Sequence, residues 1–349
     1  MAQFTYASPA GRINKVKGEI LAHAMPVEVL GLVGQHKQLP KNNGNNVVYR
    51  RYIPYGAAVT NANTINRPSV TAAAHVLSEG STPTPDTLVP QDITATLAQY
   101  GAIYSWTDQT EDLYEDDIPA EAKKQLGERI GLVREMIRFS ALSAGTNVYY
   151  GGTGSSVATV NGEVTLTLLR KISRNLQANH AKRVTSILAP SANFATAPVE
   201  ASYVVFCHSD IEASIRDLPG FKHVSEYGQR KPMNENEIGS VENFRFITSP
   251  ELAATPDAAT SITASTYGLT TTGGTNPDVY KMIVTGEDAW GDVSLRGSNS
   301  MDVKIHPAGA ADKNDLLGQR GYAGCKFYMT MVLLNQGWFA VANVGSKAL

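Results

Sequence analysis

Ile118 to Ala144 reads IPAEAKKQLGERIGLVREMIRFSALSA. Its apolar residues Ala122, Leu126, Ile130, Val133, Ile137, Ala141 and Ala144 recur every three or four positions. At about 100° per residue they share one arc, the signature of an amphipathic helix. Asp116 and Asp117 precede the stretch, and Pro119 stands where a first helical turn tolerates a missing N–H. Gly145-Thr146-Asn147 follows as a helix stop. At about 1.5 Å of rise per residue the helix spans about 40 Å, far longer than the usual globular helix. The spacing assigns Leu126, Ile130, Val133 and Ile137 to the core and puts Lys124, Glu128, Arg134, Glu135 and Arg138 on a solvated face. Gly127 and Gly131 fall four apart on that polar face. Each glycine costs a helix about 1 kcal/mol relative to alanine, so the pair suggests a notch where a neighbouring chain crosses closely.

The 349 residues carry a net charge of −2, and no long basic run stands among them. Charge therefore gives no argument for a nucleic-acid-binding domain. Cys207 and Cys325 each sit in an apolar strand-like run, the setting of buried free thiols. The first twenty residues lack the apolar core of a signal peptide, and no apolar run reaches the roughly 20 residues that span a bilayer. A soluble, cytosol-compatible protein is expected.

Upstream of the helix, residues 1–45 show a short helical pattern from about Ile13 to Met25 and then the turn-rich LPKNNGNN at 39–46. They form an arm without a core of its own. Val47–Ile53 reads as a strand ended by Pro54, and Ile93–Trp106 as a second strand with a bulge or kink at Gly101. If the two pair, the residues between them project as a long two-stranded excursion, with Val70, Val76 and Leu88 available for packing. The acidic TDQTEDLYEDD (107–117) suits the positive end of the following helix better than a calcium loop, because no EF-hand spacing is present.

Downstream, a Gly/Ser/Thr loop (149–163) leads to a helix at about Thr165–Asn179 with Leu168, Leu169, Ile172 and Leu176 on one side. Tyr203–Cys207 is a buried strand, and Asp210 is positioned to cap the helix after it. Strands follow at 242–250 and 279–286, separated by an Ala/Thr/Ser/Gly/Pro-rich surface loop (251–277), and Met301–Ile305 alternates. The tail Tyr322–Val344 reads as two core strands joined by a tight turn at Asn335-Gln336-Gly337. Irregular alternation of helices and strands makes the class α+β.

Chemistry-bearing motifs are absent. The seven histidines are scattered without metal-binding spacing, and neither cysteine has a C-x-x-C partner. His208 beside Cys207 and Asp210 is the one cluster, but adjacent strand residues point to opposite faces. No nucleophile elbow, P-loop or dinucleotide fingerprint occurs. No catalytic residue, metal site or cofactor is expected.

The order of arm, strand-bounded loop, long helix, α/β segment and returning C-terminal strands resembles the HK97-like fold of tailed-phage major capsid proteins. LPKNNGNNVVYRRY, DITATLAQYGAIYSWTD, the Gly-Thr-Asn after the helix, IGSVENFRFITSPE and LLGQRGYAGCKFY are similar to the N4 gp56-type coat proteins, over roughly residues 15–345. The excursion at 57–78 and the loop at 251–277 depart from that pattern.

The resemblance implies four parts: an N-terminal arm (1–45), an extended E-loop with its strands (46–107), a peripheral domain (108–190 and 301–349) on the spine helix 118–144, and an axial domain (191–300). It implies a coat protein that self-assembles as hexamers and pentamers into an icosahedral shell around double-stranded DNA, formed in the cytoplasm of a bacterial host. Scaffolding in trans, a portal, decoration proteins and non-specific contact with packaged DNA are the implied partners; a membrane is not. Arg50, Arg51, Val70, Val76, Leu88, Gly127 and Gly131 are the residues assigned to inter-subunit contact. An encapsulin-like compartment protein and a soluble enzyme with an unrecognised site are the alternatives. Packaged contents separate the first, and particle size in solution the second.

Overall fold

The computed structural model describes residues 28–56, 59–61, 64–65, 69–80, 82–83, 85–115, 117–185, 201–228, 232–295, 301–311 and 315–349. The helical pattern at 13–25 lies outside them. The chain enters through a short 3-10 turn at Leu30–Leu32 and bends at Gly34 into β1 (Gln35–Leu39). Gly34 has φ of +112°, and a side chain there would drive into the Trp290 indole, so this turn requires glycine. Then β2 (Asn46–Tyr52) leads into an excursion bearing the short pair β3 (Val59–Asn61) and β4 (Thr64–Ile65). The chain returns as β5 (Pro90–Thr96), which lies antiparallel to β2 with Tyr49 opposite Ile93.

Strand β6 (Ala98–Thr107) begins one residue further on. The expected kink at Gly101 is not there: Gly101 pairs in an unbroken ladder with Lys326. The break falls at Leu97, whose N–H bonds the Asn45 carbonyl at 2.8 Å while its side chain is buried. A side chain at Gly101 would stand only 3.0 Å from the Cys325 carbonyl, so the glycine allows close strand approach rather than a bend.

Next come α1 (Asp108–Leu113), capped by Thr107, and the long α2 (Ile118–Ser143). Asp117 caps α2 by accepting the Ala120 N–H at 3.1 Å. There follow β7 (Val148–Tyr150), α3 (Leu166–Ala178), β8 (Tyr203–Cys207), α4 (Glu212–Arg216) and β9 (Lys222–His223). A hairpin of β10 (Glu237–Val241) and β11 (Phe244–Thr248) precedes α5 (Ala264–Tyr267). The chain ends in β12 (Tyr280–Thr285), β13 (Trp290–Leu295), β14 (Met301–His306), β15 (Arg320–Leu333) and β16 (Phe339–Val344).

Two sheets organise these elements. In the five-stranded sheet the long β15 pairs with β6, with β14 and with β13, and β1 adds in parallel to β13. Helix α2 lies on one face, where Leu126 and Ile130 meet Trp106, Ala323, Cys325, Phe327 and Met329. The base of the β2–β5 hairpin covers part of the other face, through Tyr49, Ile93 and Ala95 against Val293. The seven-stranded sheet runs β7-β16-β12-β8-β11-β10-β9. One face packs on α3 and α4 through Leu169, Ile172, Ile211 and Ile215. The opposite face carries Val204, Phe206, Ile247 and Ile283 against Val29, Leu30, Leu142 and Trp290.

Several expectations are corrected. The C-terminal strands β15 and β16 do not pair with each other: β15 belongs to the five-stranded sheet and β16 to the seven-stranded one. The Asn335–Trp338 segment passes the chain between sheets. Asp210 does not cap a helix. The His208 Nδ1 accepts the Asp210 N–H at 3.1 Å, and the Asp210 carboxylate accepts the Tyr280 hydroxyl at 2.8 Å. The 251–277 loop is partly interior, with Leu252, Ala259, Ala264 and Leu269 buried. Asp257 and Asp278 hold it by accepting bonds from Thr271 and Thr272.

Trp106 is 1% exposed and donates its indole N–H to Glu111 at 2.7 Å. Opposite it, any side chain at Gly321 would collide with the indole ring. Gly321→Val should therefore destabilise the subunit by about 1–3 kcal/mol through overpacking. Urea unfolding followed by tryptophan fluorescence measures it, and an unchanged midpoint would show that the sheet relaxes freely here.

Candidate inter-subunit surfaces

The β2–β5 hairpin is fastened at its base. Arg51 donates to the Leu334 carbonyl at 2.7 Å and to Gln91 at 3.3 Å, tying the hairpin to the crossing between the two sheets. Burial lowers the pKa of Arg51. Arg50 grips Asp92, its cross-strand neighbour, through two bonds of 2.8 Å. The guanidinium holds the Asp92 carboxyl below its ordinary range. Both arginines assigned to inter-subunit contact thus engage groups of their own chain.

The far part of the excursion differs. Ile53 donates to the Val89 carbonyl and Ser69 to that of Gly56, while Tyr55 meets His75 at 3.3 Å. These bonds fold the loop back on itself without burying its apolar residues. Val70, Val76 and Leu88 are 51%, 76% and 80% exposed, and Leu77 is 72% exposed.

On α2 the two glycines separate. A side chain at Gly127 would meet nothing, whereas at Gly131 it would collide with the Glu28 carboxylate. The notch at Gly131 is filled by the root of this chain's own N-terminal segment.

The same face of α2 overturns the expected solvated surface. Glu135 is 0% exposed and Arg138 is 3% exposed. One carboxylate oxygen of Glu135 accepts the N–H groups of Val29 and Leu30, both at 2.8 Å. Arg138 donates to Asp292 of β13 at 2.7 and 3.1 Å, and its guanidinium lies 3.6 Å from Glu28 and from Glu135. Three carboxylates from three segments converge on one buried cation. His36 of β1 stands 3.6 Å from Asp292.

The titrations follow from this packing. Burial pushes Glu135 up, against the two backbone donors and Arg138. Burial also opposes ionisation of Asp292, but His36 and Arg138 outweigh it and hold Asp292 low. The adjacent Asp292 carboxylate raises His36 despite partial burial. Among the described residues no group of three or more His, Cys, Asp or Glu could hold a metal ion, and no helix is long and apolar enough to cross a membrane. Cys207 is fully buried, with its thiol pushed up by burial, and donates towards the Ile247 carbonyl.

A helix girder over one sheet, a second sheet packed against its end and a long β2–β5 hairpin make up the fold. Residues 90–317 match the model of the phage capsid protein family. The chain belongs to that family, with the HK97-like fold, and is a major capsid protein that forms a phage shell. The major capsid protein of Pseudomonas phage KPP21 is 20% identical, over 98% of this chain and 97% of that protein. Among solved structures, the capsid of Ralstonia phage GP4 superposes with a TM-score of 0.63 at 11% identity, covering 99% of each chain. The head of Helicobacter pylori bacteriophage KHP40 gives 0.60 at 11%, over 99% of this chain and 98% of that one. The capsid of Cyanophage Pam1 gives 0.58 at 15%, over 99% of each. At such identities these structures speak for the fold.

The cluster sets a pH dependence. A raised His36 contributes stability that is complete below its unfolded pKa of about 6.5 and is lost as pH rises through the folded value. A lowered Asp292 contributes stability present above about pH 4 and lost as pH falls through its folded value. Subunit stability should thus decline as pH rises above about 6.5, and His36→Gln should flatten that decline. Parallel wild-type and variant profiles in chemical denaturation would refute it. Arg138→Met, which strands buried carboxylates, should cost about 3–5 kcal/mol.

Proposed function

We propose that this subunit builds an icosahedral shell of hexamers and pentamers around double-stranded DNA, with the excursion 46–107 acting as an E-loop that lies across a neighbouring copy. The unburied aliphatic surface of that loop, centred on Val76, Leu77 and Leu88, is the observation that carries this reading. One subunit leaves it uncovered, and a second copy supplies the missing cover. Contacts of this type, between unlike surfaces of identical chains, close into rings around symmetry axes.

The division of labour we propose cuts across the two sheets, since β7 and α3 of the first domain below belong to the seven-stranded layer. Residues 1–45 serve as the N-terminal arm. Residues 108–190 and 301–349, on the spine helix, make the peripheral domain, and residues 191–300 the axial domain near the capsomer axes. Strand β13 joins the peripheral sheet and β16 the axial one, so the two domains exchange strands. Scaffolding in trans, a portal and decoration proteins complete the particle, which assembles in the cytoplasm of a bacterial host and performs no catalysis. With a net charge of −2, contact with packaged DNA goes through phosphates and not bases. The sequence blocks quoted above favour the N4 gp56-type branch.

Replacing residues 57–88 by a short Gly/Ser linker should leave a folded subunit that closes no shells, as judged by circular dichroism and electron microscopy. Normal particles from that deletion would refute the E-loop assignment. Particles enclosing protein in place of DNA would point to an encapsulin-like role. Gly127→Ala, where the added methyl meets nothing, should stabilise the helix by about 0.5–1 kcal/mol. A Gly127→Leu variant should keep its fold and lose assembly if a neighbour crosses there; wild-type assembly would exclude that crossing.

A further inference from the structure

We propose that Asn43 is a self-modifying site. Its side-chain amide closes onto the Gly44 backbone nitrogen and is converted, without an enzyme, to aspartate and isoaspartate. The fold holds the chain's other Asn-Gly pair inert.

The sequence contains two such pairs, Asn43-Gly44 and Asn161-Gly162. Glycine has no side chain to shield its nitrogen or to restrict the backbone that must bend into a five-membered ring. The reaction balances with water alone. The Gly44 N–H gives its proton to hydroxide, and the nitrogen attacks Cγ of Asn43. A new C–N bond forms, the bond to the amide nitrogen breaks, and that nitrogen takes a proton from water and leaves as ammonia. Water then opens the resulting succinimide at either carbonyl–nitrogen bond. One opening leaves an aspartate. The other leaves an isoaspartate, in which the main chain runs through the former side-chain carbonyl.

The structure sets the two pairs apart. Asn43 stands in the connection 40–45 between β1 and β2, which is exposed along its whole length. A side chain added at Gly44 would meet nothing within 4 Å, so the approach to this peptide is open. Among the described residues, neither the Asn43 side chain nor the Gly44 N–H has a hydrogen-bond partner.

Asn161 is pinned at both ends of its amide. Its Oδ1 accepts the Thr153 N–H at 2.9 Å, and its Nδ2 donates to the Thr153 hydroxyl at 2.8 Å. A side chain at Gly162 would strike the Gly152 backbone, and the Gly162 carbonyl accepts the Gly345 N–H at 3.0 Å. Ring closure there must first open these contacts.

Conversion at Asn43 adds one negative charge beside Lys41, the one ionisable side chain between Pro40 and Asn46. The isoaspartate route also lengthens the backbone by a methylene. The Asn45 carbonyl, two residues on, accepts the Leu97 N–H at 2.8 Å where β5 gives way to β6, so the change falls at the root of the hairpin. On the shell reading, a subunit locked in a particle is not replaced, and the product accumulates with the particle's age.

The test holds the full chain folded in mildly alkaline buffer made with oxygen-18 water and follows label uptake by peptide mapping and mass spectrometry. The Asn43 peptide should take up label at least about tenfold faster than the Asn161 peptide, with isoaspartate in excess. In urea the two rates should converge to within about threefold. Asn43→Gln, which would need a six-membered ring, should abolish labelling of its peptide and leave the unfolding midpoint unchanged. Equal rates in the folded chain, or rates that stay apart in urea, would overturn the proposal. Label persisting in Asn43→Gln would place the reaction on Asn42, Asn45 or Asn46 and overturn the assignment.

Discussion

Arg138 is enclosed by carboxylates drawn from three places in the chain: Glu28 at the root of the arm, Glu135 one turn earlier on α2, and Asp292 in β13. Desolvating these charges is expensive, so the cluster adds less net stability than its short bonds suggest. Its effect is positional. Glu135 binds the Val29 and Leu30 N–H groups, and this aims those side chains into the space between α2 and the seven-stranded sheet. Leu142, Phe206, Ile247, Ile283 and Trp290 pack around them. The mutual placement of the two sheets thus depends on one arginine at the end of the girder.

From that junction outward, the chain buries progressively less of its apolar surface. The hairpin base is fully engaged, with Tyr49, Ile93 and Ala95 buried and Arg51 bonded across to Leu334. Its far part retains local bonds but leaves aliphatic side chains in water.

The girder was legible because its core stripe is long and Asp117 caps it where the pattern places it; Gly145 follows its end because a side chain there would strike Phe339, not because its φ is positive. The family blocks carried the fold class. The buried charge cluster was misread because Glu135 and Arg138, three apart, look like a surface ion pair when Asp292 is not in view. A signal was nevertheless present. Leu132, Met136 and Leu142 stand off the chosen stripe, and a helix with apolar residues outside its stripe has more than one partner. Strand β13 was missed because Gly291 and the buried Asp292 interrupt its alternation. The separation of β15 from β16 could not be read locally: apolar runs flanking Asn-Gln-Gly are written alike whether the strands pair or part into different sheets. Arg51 escaped as an anchor for the same reason, since its acceptor is a backbone carbonyl 283 positions away.

Helix α2 therefore presents three surfaces with three chemistries. One is aliphatic and closed by the five-stranded sheet. One is ionic and closed by the arm root and β13, with Gly131 as the point where Glu28 comes nearest. The third, around Leu132 and Met136, is aliphatic and open. The first two hold the helix against both sheets. A long helix closed by apolar packing along its length and by buried charge near its C-terminal end makes both ties with one element.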